Sequence, residues 1–215
     1  MKLRFVPVPS LISAGSFSLL LFLFSPFTLR SQIDLSTGWR LHFGDDPAWA
    51  APDFSDSTWA EVDPSLPWEE QGFKENDGYA WYRLRFTLPT SLRNQSKFKE
   101  GLRFLLGAID DCDAVYLNGQ IIGQMGQFPD EPGPMVSAWD APRRYVIPAD
   151  HPALHWDGDN LLAVRVFDSG GPGGMFGAGP RNVDMTDLAD FLRLDANAEP
   201  FLFFKHDTVQ RTVFI

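Results

Sequence analysis

Short alternations of apolar and polar residues, interrupted roughly every ten residues by Gly, Pro, Asn or Asp, run through the chain and predict strands joined by tight turns. The clearest run is Tyr79 to Leu88. Successive side chains of a strand point to opposite faces, so Ala80, Tyr82, Leu84, Phe86 and Leu88 share one face and Tyr79, Trp81, Arg83, Arg85 and Thr87 the other, before Pro89 ends the ladder. The first face predicts core, and the second is expected either to meet water or a ligand or to lie under a second sheet. Further strands are predicted from Gly38 to Phe43, Trp59 to Val62, Leu102 to Leu106, Ala114 to Leu117, Gln120 to Ile122, Arg144 to Ile147 and Leu161 to Phe167. Asn118-Gly119 predicts a two-residue hairpin, because both residues tolerate the positive φ of a primed turn. Asp157-Gly158-Asp159-Asn160 predicts another turn, and one helix is predicted from Asp184 to Leu194, where Met185, Leu188, Phe191 and Leu192 form a stripe. The sum is an all-β fold, two antiparallel sheets packed as a β-sandwich.

The ends carry a different pattern. Lys2 and Arg4, an apolar run from Leu11 to Phe24 and then Pro26 have the layout of a secretory signal peptide. An uncleaved N-terminal anchor is the alternative, since Leu29-Arg30-Ser31 is a loose match to a small-x-small cleavage site. The expected organisation is 1–31 as signal peptide or anchor, 32–183 as one sandwich and 184–215 as a C-terminal extension, with the protein exported to the periplasm or beyond. The 215 residues include 18 Lys and Arg against 28 Asp and Glu, a formal charge of −10. Residues 1–31 hold no acid, so the remainder is more acidic still. Such a surface repels phosphate backbones and anionic lipid, which excludes a nucleic-acid partner and leaves a membrane partner only through the N-terminal anchor. Cys112 is the single cysteine, so no intramolecular disulfide forms, and it is expected to be a packed, unreactive thiol.

Six pieces in order carry a resemblance: Gly38-Trp39; Gly44-Asp45-Asp46-Pro47; Phe54-Ser55-Asp56-Ser57-Thr58-Trp59; Gly78-Tyr79-Ala80-Trp81-Tyr82-Arg83; Tyr116-Leu117-Asn118-Gly119 with Ile122-Gly123; and Asn160-Leu161-Leu162-Ala163-Val164-Arg165-Val166. Together they resemble the N-terminal sugar-binding domain of family-two glycoside hydrolases, the β-galactosidases among them. The resemblance covers about residues 33 to 183. It implies a galactose-binding-like jelly roll that precedes a catalytic barrel in those enzymes and borders its substrate cleft. Similar modules also stand ahead of membrane-embedded signalling proteins, so the expected partners are a carbohydrate ligand or an adjoining catalytic or signalling module.

A sugar presents hydroxyls around apolar ring faces, and a site for it needs an aromatic platform with a few planar hydrogen-bonding groups. Trp81 and Arg83 on the second face of their strand, Trp68 in the loop after Pro67, Asp110 and Asp111 after the strand ending at Leu106, and Asp168 after the strand ending at Phe167 are the candidates. Each has a plainer reading. The tryptophans serve equally as packing, and Asp110-Asp111-Cys112-Asp113 as a capping turn. No cofactor is expected. An EF-hand is excluded at Asp157, because Leu162 stands where its loop needs glycine, although the many acids leave room for an irregular structural calcium site. His151 and His155 lack the glutamate of a zinc-protease helix, Gly170 to Gly174 lacks the Lys of a phosphate loop, and no Gly-x-Ser-x-Gly elbow occurs. The expectation is therefore a non-catalytic module that binds carbohydrate or acts as scaffold. The alternative is an extracytoplasmic ligand-sensing or interaction domain of a membrane signalling protein.

Overall fold

A computed structural model describes residues 32–187, apart from 75 and 97. The expectations for 1–31 and for most of 184–215 lie outside the described residues. The strands are β1 (Gln32–Asp34), β2 (Trp39–Phe43), β3 (Ala60–Val62), β4 (Gly78–Thr87), β5 (Gly101–Ala108), β6 (Cys112–Leu117), β7 (Gln120–Met125), β8 (Pro142–Pro148), β9 (Asp159–Asp168) and β10 (Arg181–Met185). One short helix, α1 (Thr90–Gln95), follows Pro89. The strands form a four-stranded sheet in the order β1-β10-β5-β8 and a six-stranded sheet in the order β3-β2-β4-β9-β6-β7. Every pairing within them is antiparallel.

Between the sheets lies the core that the alternation predicts. Tyr82, Leu84 and Phe86 of β4 and Leu162, Val164 and Val166 of β9 pack with Leu102, Phe104 and Leu106 of β5, Tyr145 and Ile147 of β8, and Val183 and Met185 of β10. β8 shows the two-residue period most cleanly, with Arg143, Tyr145 and Ile147 inward and Pro142, Arg144, Val146 and Pro148 exposed.

The hairpin forms as its residues predict. Leu117 pairs with Gln120, and Asn118 and Gly119 take φ of 48° and 86°. Asn118 also latches the hairpin to β9: its Oδ1 accepts from Leu161 N at 2.7 Å and its Nδ2 donates to Asn160 Oδ1 at 2.9 Å. Asn118→Ala removes the polar side chain that makes left-handed backbone tolerable at this position and strands the Leu161 N–H, for an expected cost of about 2 kcal/mol in urea unfolding.

Two expectations are corrected. Asp184 and Met185 belong to β10 rather than to a helix, because Val183 and Met185 fill the core at strand period. The second face of β4 is open at Arg85 and Thr87 but covered at Trp81 and Arg83, and what covers it is not the other sheet. The segment 44–59, with a 3-10 turn at Pro47–Ala50, folds over it, so that Trp81 is 1% exposed among Trp49, Phe54 and Trp59. Trp81 Nε1 donates to Asp45 Oδ1 at 2.9 Å. Arg83, equally buried, donates to the carbonyls of Trp49, Ala51 and Phe54 and to Asp56 Oδ2 at 2.8 Å. That guanidinium caps carbonyls which the turn leaves free of ladder partners, which is why an arginine stands on a buried face. Arg165 adds a brace, bonding Asp45 and Asp130 while its guanidinium lies over the rings of Tyr79 and Phe128.

Candidate functional site

Four of the six candidates meet at one end of the sandwich. Asp110 and Asp111 form the link from β5 to β6, Asp168 is the last residue of β9, and Trp68 opens the 3-10 turn Trp68–Gln71. One carboxylate oxygen from each of Asp110, Asp111 and Asp168 lies within 4.8 Å of the others. Trp81 and Arg83 lie elsewhere, beneath the 44–59 segment, where neither offers a surface for a sugar ring.

A glycine strap, 170–174, joins these pieces. Gly174 O accepts from Asp110 N at 3.1 Å, Gly173 O accepts from Trp68 N at 3.2 Å, and Gly173 N donates to Glu69 Oε2 at 3.1 Å. The need for glycine at 173 is steric, since a β-carbon there would sit 2.3 Å from Trp68 Cζ2 and 2.4 Å from Asp168 Oδ2. The indole edge and the carboxylate thus flank one point beneath the strap.

The three aspartates differ in how they are held. Asp111 is fully engaged: Ser137 Oγ donates to its Oδ1, and Ser169 N and Oγ donate to its Oδ2 at 2.9 and 2.6 Å. Against the desolvation that burial imposes, those bonds hold its carboxyl below the usual range. Asp168 is buried and accepts from Gly170 N through Oδ1 only. Burial, with the charges of Asp77, Asp111 and Glu69 adding to it, pushes Asp168 up to about 6 despite the Gly170 bond. Burial and the neighbouring Asp111 push Asp110 up to about 7. Trp68 Nε1, Glu69 Oε1 and Asp168 Oδ2 are among the buried polar atoms here that have no hydrogen-bond partner.

Raised carboxyls make a pH signature. Between pH ~4 and ~7 the folded chain keeps the Asp110 proton that the unfolded chain has released, so this group's contribution to stability falls as pH rises through that window, and Asp168 acts in the same sense. Asp110→Asn is expected to raise the Tm at pH 8 relative to the parent and to leave it nearly unchanged at pH 4, as a thermal melt at the two values would show.

As a cation set the three carboxylates are only partly available. Both Asp111 oxygens already accept hydrogen bonds, whereas calcium takes six to eight oxygens. The neighbouring Cys112 is a buried thiol whose pKa burial raises to about 11, in keeping with a packed residue.

Two features of this end lie outside the candidates named from the sequence. Arg143, buried on β8, donates to Asp113 Oδ1 at 2.5 Å and to the carbonyls of Ile109, Asp111, Ala138 and Ala141, so it anchors both the Asp110-Asp111 link and the loop 126–141. Its inward place in the β8 alternation is the one local signal. Trp139 in that loop is 62% exposed. A lone tryptophan in a Gly- and Pro-rich stretch without alternation is the signal that would have found it.

The architecture is that of an antiparallel β-sandwich with a polar site at one end of its sheets. Comparison with known proteins finds the chain similar to part of several bacterial glycoside hydrolases. A β-galactosidase of Bacteroides ovatus, BoGH2A, is 28% identical over 156 residues, covering 66% of this chain and 16% of its own length. Among solved structures, a glycosyl hydrolase family 2 member from Bacteroides cellulosilyticus superposes with a TM-score of 0.55 at 17% identity, over 74% of this chain and 21% of its own. A β-glucuronidase of Bacteroides uniformis gives 0.53 at 22%, over 71% of this chain and 17% of its own. The chain therefore spans about a fifth or less of the length of these relatives. No protein-family profile matches it.

Proposed function

We propose that this chain is a non-catalytic carbohydrate-binding or scaffolding module of glycoside-hydrolase type, exported from the cytoplasm and working beside a catalytic module. The observation that carries the reading is the set of partnerless polar atoms at the strap. A buried donor, Trp68 Nε1, and two buried acceptors, Glu69 Oε1 and Asp168 Oδ2, are costly to leave unbonded. A sugar hydroxyl both donates and accepts, so adjacent hydroxyls of one ring can satisfy donor and acceptors together. Reaching them requires the 170–174 strap to move, and four of its five residues are glycine. The relationship to a β-galactosidase and the small share of its length that this chain matches support the reading.

Isothermal titration of the chain with a panel of β-linked glycosides tests it. Saturable binding that Asp168→Asn weakens by about tenfold is the expected result. The chain alone is expected to release no nitrophenol from 4-nitrophenyl β-D-galactopyranoside. Turnover that Asp110→Asn abolishes would replace the binding role by a catalytic one.

A further inference from the structure

The sugar reading requires an aromatic platform, and the tryptophans at 68 and 81 are fully packed. Trp139 is the most exposed large hydrophobic side chain among the described residues, and Val136, three residues before it, is 49% exposed. An indole that open to water is held here on rigid backbone. Gln127 and Val136 exchange hydrogen bonds at 2.9 and 3.1 Å, Ala138 N donates to Asp111 O at 2.9 Å, and Arg143 holds the carbonyls of Ala138 and Ala141. Ser137, two residues before the ring, donates from its hydroxyl to the Asp111 carboxylate, and Trp139 N is 3.4 Å from that same hydroxyl oxygen. The backbone of Trp139 therefore stands one serine away from the carboxylate cluster, on a loop whose ordering cost is met in the free protein.

We propose that Trp139 is the stacking platform of this site and that its ligand is an uncharged pyranose. The inference rests on the carbohydrate reading above and adds the residue and the charge class. One apolar face of the ring lies on the indole while its hydroxyls reach Asp110 at the rim and Asp168 beneath the strap. The charge class follows from the neighbours. Asp110, Asp111, Asp168 and Glu69 gather at this end, and Arg143 beneath them is committed to Asp113 and four backbone carbonyls. A uronate would bring a further carboxylate into that field, where Asp110 and Asp168 themselves already resist ionisation.

The experiment is titration calorimetry with methyl β-D-galactopyranoside, methyl β-D-glucopyranoside and methyl β-D-glucuronide, on the parent chain, Trp139→Ala, Trp139→Phe and Asp168→Asn, each with a thermal melt. The expected result is binding of a neutral glycoside, about tenfold weaker binding of the glucuronide, about tenfold loss in Trp139→Ala with its melt unchanged, and partial recovery in Trp139→Phe. Parent-like affinity in Trp139→Ala, with binding lost in Asp168→Asn, overturns the platform and leaves the carbohydrate site standing. Equal affinity for the glucuronide overturns the charge class. Absence of binding to all three by the parent overturns both the platform and the carbohydrate reading.

Discussion

Arg143→Met is expected to lower stability by about 3–5 kcal/mol, because it leaves the Asp113 carboxylate buried without its partner. Arg143 and Asp113 have no exposed side-chain surface, and Tyr145 donates its hydroxyl to the other Asp113 oxygen, so nothing but these two groups compensates that charge. The guanidinium also carries four carbonyls from two separate segments, and methionine replaces none of those bonds. Urea unfolding of Arg143→Met, Asp113→Asn and the double variant gives the coupling directly. The double variant should cost less than the sum, since removing both charges removes the unpaired one. Additive losses would show that the pair is not coupled as the geometry requires. Because Arg143 holds the Asp110-Asp111 link and the 126–141 loop, any sugar binding should fall together with stability in Arg143→Met.

Trp81→Ala is expected to cost a similar amount, about 3–5 kcal/mol, as a large-to-small change in a closed apolar cluster. Its ring is edge-on to Trp49, with centroids 6.3 Å apart, and stacks on Tyr116 at 5.4 Å, while its N–H is fixed by Asp45. Removal takes away the surface on which the 44–59 segment sits. Trp139→Ala, by contrast, is expected to stay within about 0.5 kcal/mol, as exposed substitutions usually do. Thermal melts of the two variants side by side separate a packing tryptophan from a displayed one. A small loss in Trp81→Ala would mean that the 44–59 segment does not cover β4 in solution.

The aromatic platform shows where reading by strand period stops. The alternation of Tyr79 to Leu88 assigns Trp81 to the face opposite the core, and β4 has that geometry. Period alone does not say what lands on that face. The covering segment holds Trp49, Phe54 and Trp59, residues that pack as a sequence reading expects but build a second cluster outside the sheet pair. Arg83 followed the same logic, since an arginine on a strand face reads as solvent-facing until four acceptors are found to enclose it.

The sequence by itself determined the strands β2 to β9, the core face of β4, the 118–119 hairpin and the all-β class. Side-chain period and turn chemistry act over two to four residues, and no distant partner is needed to express them. β1 and β10 escaped it, one being three residues long and the other emerging from a glycine-rich stretch. The acids at 110, 111 and 168 were legible as loop carboxylates near strand ends. That they converge with Trp68 beneath residue 173 was decided by the tertiary structure, through the pairing of β6 with β9 and the return of the strap over them. The tertiary structure likewise buried Trp81 and displayed Trp139, because burial depends on which distant segment packs against a side chain, and the chemical character of a tryptophan is the same in both places.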